Sequence, residues 1–164
     1  MKNETAFKIR STGEGDFPWI RDVWMEHWGG DFVITRGRTC RFDEVAGFVA
    51  ELNAEKAGLI TYRIDGDELE ITSINSFVGK KGVGSSLVEA VVDVGRKNSV
   101  RRVMLITTND NLDALHFWQK RGFHLSAVYP GAMEVSRRSK PGIPLLGNDG
   151  IPIRDEIELD MAIR

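Results

Sequence analysis

The sequence predicts an α/β domain of the α+β kind, a mixed β-sheet flanked by helices. Three observations predict it. Residues 46–77 read as three consecutive strands joined by tight turns, an antiparallel meander. A glycine-rich loop at 79–84 then opens an amphipathic helix, and the apolar, β-branched run Val100–Thr107 after it has the look of a buried strand. The end of the chain, Asp155–Ile163, alternates Ile157, Leu159, Met161 and Ile163 with Glu156, Glu158, Asp160 and Ala162, the pattern of a half-buried strand. With 164 residues, no internal repeat and no linker, the whole chain, 1–164, reads as a single domain.

From the start of the chain, Phe7–Arg10 alternates as a short strand, and the segment from Ser11 to Asp16 is turn chemistry. Asp16 is the candidate N-cap of a helix with Pro18 just inside it. Trp19, Ile20, Val23, Trp24 and Trp28 keep the helical period to about His27, and Gly29-Gly30 ends it. Phe32–Thr35 is a strand, and Arg36–Val45 is polar and irregular with at most one helical turn. The meander strands are Ala46–Asn53, Ala57–Asp65 and Glu68–Phe77, and Asp65-Gly66-Asp67 marks a tight hairpin. Ser85–Asn98 is a helix on Leu87, Val88, Val91, Val92 and Val94. Asn111–Arg121 is a second helix closed by Gly122, and Phe123–Tyr129 is a strand. A short helix fits Gly131–Arg138, and Ser139–Pro152, rich in Pro and Gly, is a loop.

Composition narrows the function classes. The net charge of −2 gives no basic field for nucleic acid, although Lys80-Lys81, Arg101-Arg102 and Arg137-Arg138 are local basic clusters. No apolar run is long enough for a bilayer, so no membrane partner is expected. The first residues carry no apolar signal region, which makes a cytoplasmic location the default. One cysteine, Cys40, and three scattered histidines show no metal-ligand spacing, and no metal is expected.

The glycine loop has a physical task open to it. The first turn of a helix presents unpaired N–H groups and a partial positive charge. Glycines at 79, 82 and 84 let the backbone approach an anion, Lys80 and Lys81 add charge, and Ser85 and Ser86 add hydroxyls. The pattern is neither a P-loop, since Lys81 is followed by Gly82, nor Gly-x-Gly-x-x-Gly. Taken alone, the loop is either a pyrophosphate cradle or a tight turn with exposed lysines.

Together with the helix and strand downstream, the loop resembles that of the GCN5-related N-acetyltransferases, whose phosphate loop reads Gln/Arg-x-x-Gly-x-Gly/Ala between a strand and a helix. Gly79-Lys80-Lys81-Gly82-Val83-Gly84 matches the two later glycines and departs at Gly79. That family continues with Asn-x-x-Ala-x-x-Phe-Tyr and then Gly-Phe; here stand Asn111, Ala114, Phe117 and Trp118, then Gly122-Phe123. The tightest resemblance covers about Glu68–Leu125, and the stretches 140–144 and 150–156 look like those of a bacterial subgroup. The resemblance implies a centrally splayed sheet and acetyl-coenzyme A as cosubstrate. It places the pantetheine arm along the splayed edge near Ile74 and Asn75, with the pyrophosphate at Gly79, Lys80, Lys81, Gly82, Val83, Gly84, Ser85 and Ser86. Asn111 would contact the arm, with Ala114 and Phe117 lining that side. Asn111 is also a natural N-cap, and Phe117 equally a core residue.

Direct acetyl transfer needs a base for the ammonium of the acceptor, a polarised thioester carbonyl and a proton for the thiolate. The resemblance puts a carboxylate base on the strand before the loop, where Glu70 stands, with His27 second. A tyrosine that protonates the thiolate in many relatives is Trp118 here. Tyr129 or Tyr62 replaces it, solvent protonates a thiolate of pKa about 8.5, or the protein binds the cofactor without turnover. Trp24, His27 and Trp28 would wall the acceptor site. Arg137, Arg138, Lys140 and Arg154 would, if convergent, hold a carboxylate or phosphate on the acceptor. The expected partner is thus a small-molecule amine, with the chain acting alone or as a homodimer.

Overall fold

The computed structural model describes residues 7–79 and 82–163. A seven-stranded sheet carries the molecule, in the order β1 (Phe7–Ser11), β4 (Ala46–Leu52), β5 (Glu55–Asp65), β6 (Glu68–Ser76), β7 (Arg102–Thr108), β9 (Glu156–Ala162) and β8 (His124–Tyr129). All pairings are antiparallel except β6 with β7. That parallel pair encloses α2 (Val83–Lys97), because parallel neighbours need a crossover. The helices α1 (Phe17–His27), α3 (Leu112–Lys120) and α4 (Ala132–Ser139) complete the layers. Among the described residues no helix is long and apolar enough to cross a membrane.

Each face of the sheet has its own core. Ile60, Leu69, Ile71, Val103, Leu105 and Leu159 pack against the Leu87, Val88, Val91 face of α2. On the other face Val49 and Leu59 meet Ile20, Val23 and Trp24 of α1, with Val33 and Cys40. The last two belong to a hairpin of β2 (Phe32–Thr35), where a strand is expected, and β3 (Arg38–Arg41), in the stretch expected to be irregular. Arg36 and Gly37 form its turn, both at positive φ (52° and 72°). That is the hairpin turn whose twist matches its strands. A polar sequence hid it, since β3 is exposed at every position except Cys40.

β9 departs from the expected half-buried strand. It lies between β7 and β8, so both of its edges are paired, and Glu156 and Glu158 are nearly as buried as Leu159. Alternation reported which face each residue takes, but the number of neighbours decided how wet that face is.

Two features open the sheet at its centre. β6 and β7 pair only from Glu68–Arg102 to Ile71–Leu105, after which the strands part. On its other side β6 carries a bulge: Tyr62 faces Ile71 and Thr61 faces Ser73, so Thr72 is an extra residue. Thr72 and Ser73 hydroxyls both bond the Thr61 hydroxyl, at 2.7 and 2.6 Å, and the Trp24 indole N–H donates to Ser73 Oγ at 3.1 Å. This buried, satisfied knot holds the bulge where β6 leaves β7.

Candidate functional site

The splay leaves a cavity of about 520 Å³ through the sheet. β6 supplies Thr72, Ile74 and Ser76 on one side, and β7 supplies Ile106, Thr107 and Thr108 on the other. Toward the helical layer the walls are Gly84 of α2, the cap residue Asn111, and Asp113, Ala114 and Phe117 of α3. Toward the opposite layer they are Trp28, Val33, Ile34, Thr35, Met133, Lys140, Ile143 and Glu156.

Close backbone packing sets the helical mouth. α2 begins at Gly82, left-handed at φ 76°, and no side chain caps it. A Cβ on Gly58 of β5 would lie 2.7 Å from Val83 Cγ1, so the first turn of α2 sits directly on the sheet. A Cβ on Gly84 would lie 3.1 Å from the Phe117 ring. Phe117 is held in turn by the Arg121 guanidinium, 3.5 Å over its centroid, and Arg121 also donates to Ser85 Oγ at 2.9 Å. Asn111 caps α3, its side-chain oxygen accepting from the Ala114 N–H at 3.1 Å. The open N–H groups of the first turn of α2 can take an anion here.

Of the residues expected at a cofactor site, Ile74, Gly84, Asn111, Ala114 and Phe117 line the cavity. Gly82, Val83, Ser85 and Ser86 form the adjoining first turn of α2, while Lys80 and Lys81 lie outside the described residues. Gly79 and Asn75 do not line the cavity; the Asn75 side chain accepts from the Trp28 indole at 2.8 Å, bracing a wall residue.

The expected catalytic groups are placed elsewhere. Glu70 is buried but its carboxylate is occupied, paired with Arg63 at 2.7 Å and accepting from Thr35 Oγ1 at 2.7 Å, and it does not line the cavity. Tyr129 donates to Glu158 at 2.9 Å, and Tyr62 stacks on Phe48; neither lines the cavity. Trp118 is core, edge-on to Phe117 and Phe123.

Of the expected acceptor residues Trp28 and Lys140 line the cavity. Trp24 is fully buried in the core, His27 is half-exposed beside Phe77, and Arg154 is exposed and paired with Asp155. The basic residues near the loop do not converge. Arg137 donates to the carbonyls of Ile143, Pro144 and Ile153, and Arg138 is exposed. Lys140 Nζ reaches the carbonyls of Trp28 and Phe32 at 2.9 and 2.7 Å, pinning the α1–β2 loop as part of the cavity wall.

Sequence reasoning passed over Glu156. It pairs with Thr108 across β7–β9, lines the cavity and is 2% exposed. Its Oε2 accepts the Arg36 N–H, at the hairpin tip, at 3.0 Å. Burial pushes its carboxyl above the ordinary range; the Arg36 N–H opposes this and the Glu70 charge adds to it. The only sequence signal was a carboxylate at every second position of a strand whose depth was unknown.

The family model described as Acetyltransferase (GNAT) family matches residues 16–123. The Bacillus subtilis (strain 168) protein YdhI is 42% identical over 145 residues, 88% of this chain and 91% of that one. A GNAT family acetyltransferase from Elizabethkingia anophelis, solved with acetyl-CoA bound, superposes with TM-score 0.72 at 18% identity, covering 99% of this chain and 100% of that one. A Bacillus subtilis acetyltransferase in complex with CoA gives 0.70 at 18% identity, over 97% and 100%. At such identities these two structures share the fold.

Proposed function

This chain belongs to the GNAT acetyltransferase family, and from that premise we propose that it is an acetyl-CoA-dependent N-acetyltransferase acting on a small-molecule primary amine by direct transfer. The observation that carries the reading is the cavity between β6 and β7, with the open N-terminus of α2 at one end and the Trp28, Met133 and Glu156 walls at the other. A cosubstrate entering by the helical mouth would lay its pyrophosphate on residues 82–86 and its pantetheine arm along the unpaired edge of β6 near Ile74. The relatives solved with CoA and acetyl-CoA support that choice of cosubstrate. Backbone N–H groups freed where β6 leaves β7 would polarise the thioester carbonyl as charge develops on its oxygen.

No tyrosine lines the cavity among the described residues. The thiolate, of ordinary pKa about 8.5, is then protonated by water or by a proton from the attacking nitrogen. The same observation favours a second reading, an acyl-CoA-binding module without turnover. Calorimetric titration with CoA and thiol release over a panel of amines separate the two. The enzyme reading expects CoA binding and thiol release with at least one amine; tight binding with no release from any amine leaves the binding module.

A further inference from the structure

The end of the cavity opposite the helical mouth is walled mainly by Trp28, Val33, Ile34, Met133 and Ile143, with Thr35, Lys140 and the buried carboxylate of Glu156; the cavity's other carboxylate, Asp113, is exposed on α3 at the helical side. We propose that this chamber takes a primary ammonium carried on an apolar body without an anionic group, and that the Glu156 carboxylate receives the ammonium and removes its proton. The inference rests on the acetyltransferase reading and names its acceptor class.

Charge pairing singles out Glu156. Five carboxylates stand together on this side of the sheet. Glu68 pairs with Arg102 at 2.8 Å, Glu158 and Asp160 share Arg102 at 2.8 Å each, and Glu70 is held by Arg63. Glu156 alone among them has no ion pair among the described residues; its one hydrogen-bond donor is the Arg36 N–H, on Oε2. The Arg36 guanidinium faces Glu68 at 3.5 Å and Glu158 at 4.0 Å, so the desolvated Glu156 carboxylate has no directly paired cation, and an ammonium would supply one.

The same geometry disfavours an anionic acceptor. Lys140, the basic side chain in the wall, is committed to two carbonyls and sits 4.9 Å over the Phe32 ring, while Arg137 and Arg154 are engaged elsewhere. A carboxylate on the acceptor would enter beside Glu156 with no uncommitted basic side chain in the cavity wall among the described residues.

The reaction balances simply. Glu156 takes one proton from the ammonium, and the neutral nitrogen attacks the acetyl carbon. The C–N bond forms and the C–S bond breaks with its electron pair on sulfur. The remaining excess N–H proton goes to the thiolate, and Glu156 returns its own to solvent.

The full chain is assayed by thiol release with phenethylamine, hexylamine, phenylalanine and glutamate. The apolar amines are expected to exceed phenylalanine in kcat/KM by on the order of tenfold or more. Glu156→Gln should lower kcat/KM by roughly 10²- to 10⁴-fold. It should keep CoA binding and a melting temperature no lower than that of the parent, because the amide still accepts from Arg36 and sheds a buried charge. Glu156→Asp should recover part of the rate. Preference for the anionic amines, or a Gln variant as active as the parent, overturns this inference and leaves the transferase reading standing. Thiol release from no amine while CoA binds overturns both.

Discussion

At the scale of single residues, the site depends on atoms that are missing as much as on those present. Gly58 lies in the meander, outside every recognisable motif, yet a Cβ there would meet Val83, the Asn75 carbonyl and Leu87 at 2.7, 3.0 and 3.1 Å. Gly58→Ala should therefore cost about 1–3 kcal/mol of stability by overpacking. It should also weaken CoA binding several-fold by lifting the first turn of α2, which thermal melts and calorimetry would read separately. Nothing in a single sequence marks this glycine, because what it makes room for is 25 positions away. Glu70 and Glu156 show the converse. Both looked like polar positions of alternating strands, and what distinguishes them is a neighbour: Arg63 beside one, an apolar chamber beside the other. The raised carboxyl of Glu156 has a kinetic signature. A base must be ionised to act, so activity should fall as pH drops through a value above the ordinary carboxylate range. Burial, the Arg36 N–H and the Glu70 charge set that value in the free enzyme. A pH profile of kcat/KM would show the limb, and Glu156→Gln should erase it.

At the scale of elements, local signals and tertiary demands agree at α3. Asn111 was legible both as a cap and as a cavity residue, and it stands at both places, capping Ala114 while lining the cavity. Asn111→Ala should cost about 1 kcal/mol through the lost cap, seen as a lower denaturant midpoint at unchanged slope. Gln or His at this position would not restore it, since only a short side chain bonds the helix N–H groups from the cap. The hairpin β2–β3 shows the opposite case. β2 is legible as a strand, but β3 is short and polar, so periodicity missed it, although Arg36-Gly37 is turn chemistry. The turn matters because the Arg36 N–H is what reaches Glu156. The bulge at Thr72 was likewise invisible: one extra residue changes the register without changing the pattern of the sequence.

At the scale of the whole molecule, charge pairs tie the outer strand to the rest. Arg10 on β1 holds Asp16 at 2.9 Å before α1 and Glu51 on β4 at 2.6 Å. The Arg10 hydrogen bonds draw the Asp16 carboxyl down to about 2, against the effect of burial and with help from the Gly13 N–H. A carboxyl lowered on folding stabilises above its unfolded value of 3.8 and loses that contribution as pH falls toward 2. The loss should amount to about 2 kcal/mol, and Asp16→Asn should be less stable than the parent at neutral pH and close to it at pH about 2. Melts at the two pH values would check this.

The sequence by itself determined the order of strands and helices apart from β3, the mixed main sheet, the place of the glycine loop and, through the pairing of Gly82-Val83-Gly84 with Asn111–Phe123, the family. Those features are local, written in periodicity, turn residues and short motifs that survive without knowing what lies alongside. Only the tertiary structure decided which carboxylate faces the chamber, that the basic loop residues serve backbone carbonyls, and that Trp118 is core. Burial and pairing belong to neighbours brought together from distant parts of the chain. Solvent access and the nearest counter-charge, which settle what an ionisable group can do, are properties of that assembly and not of the residue.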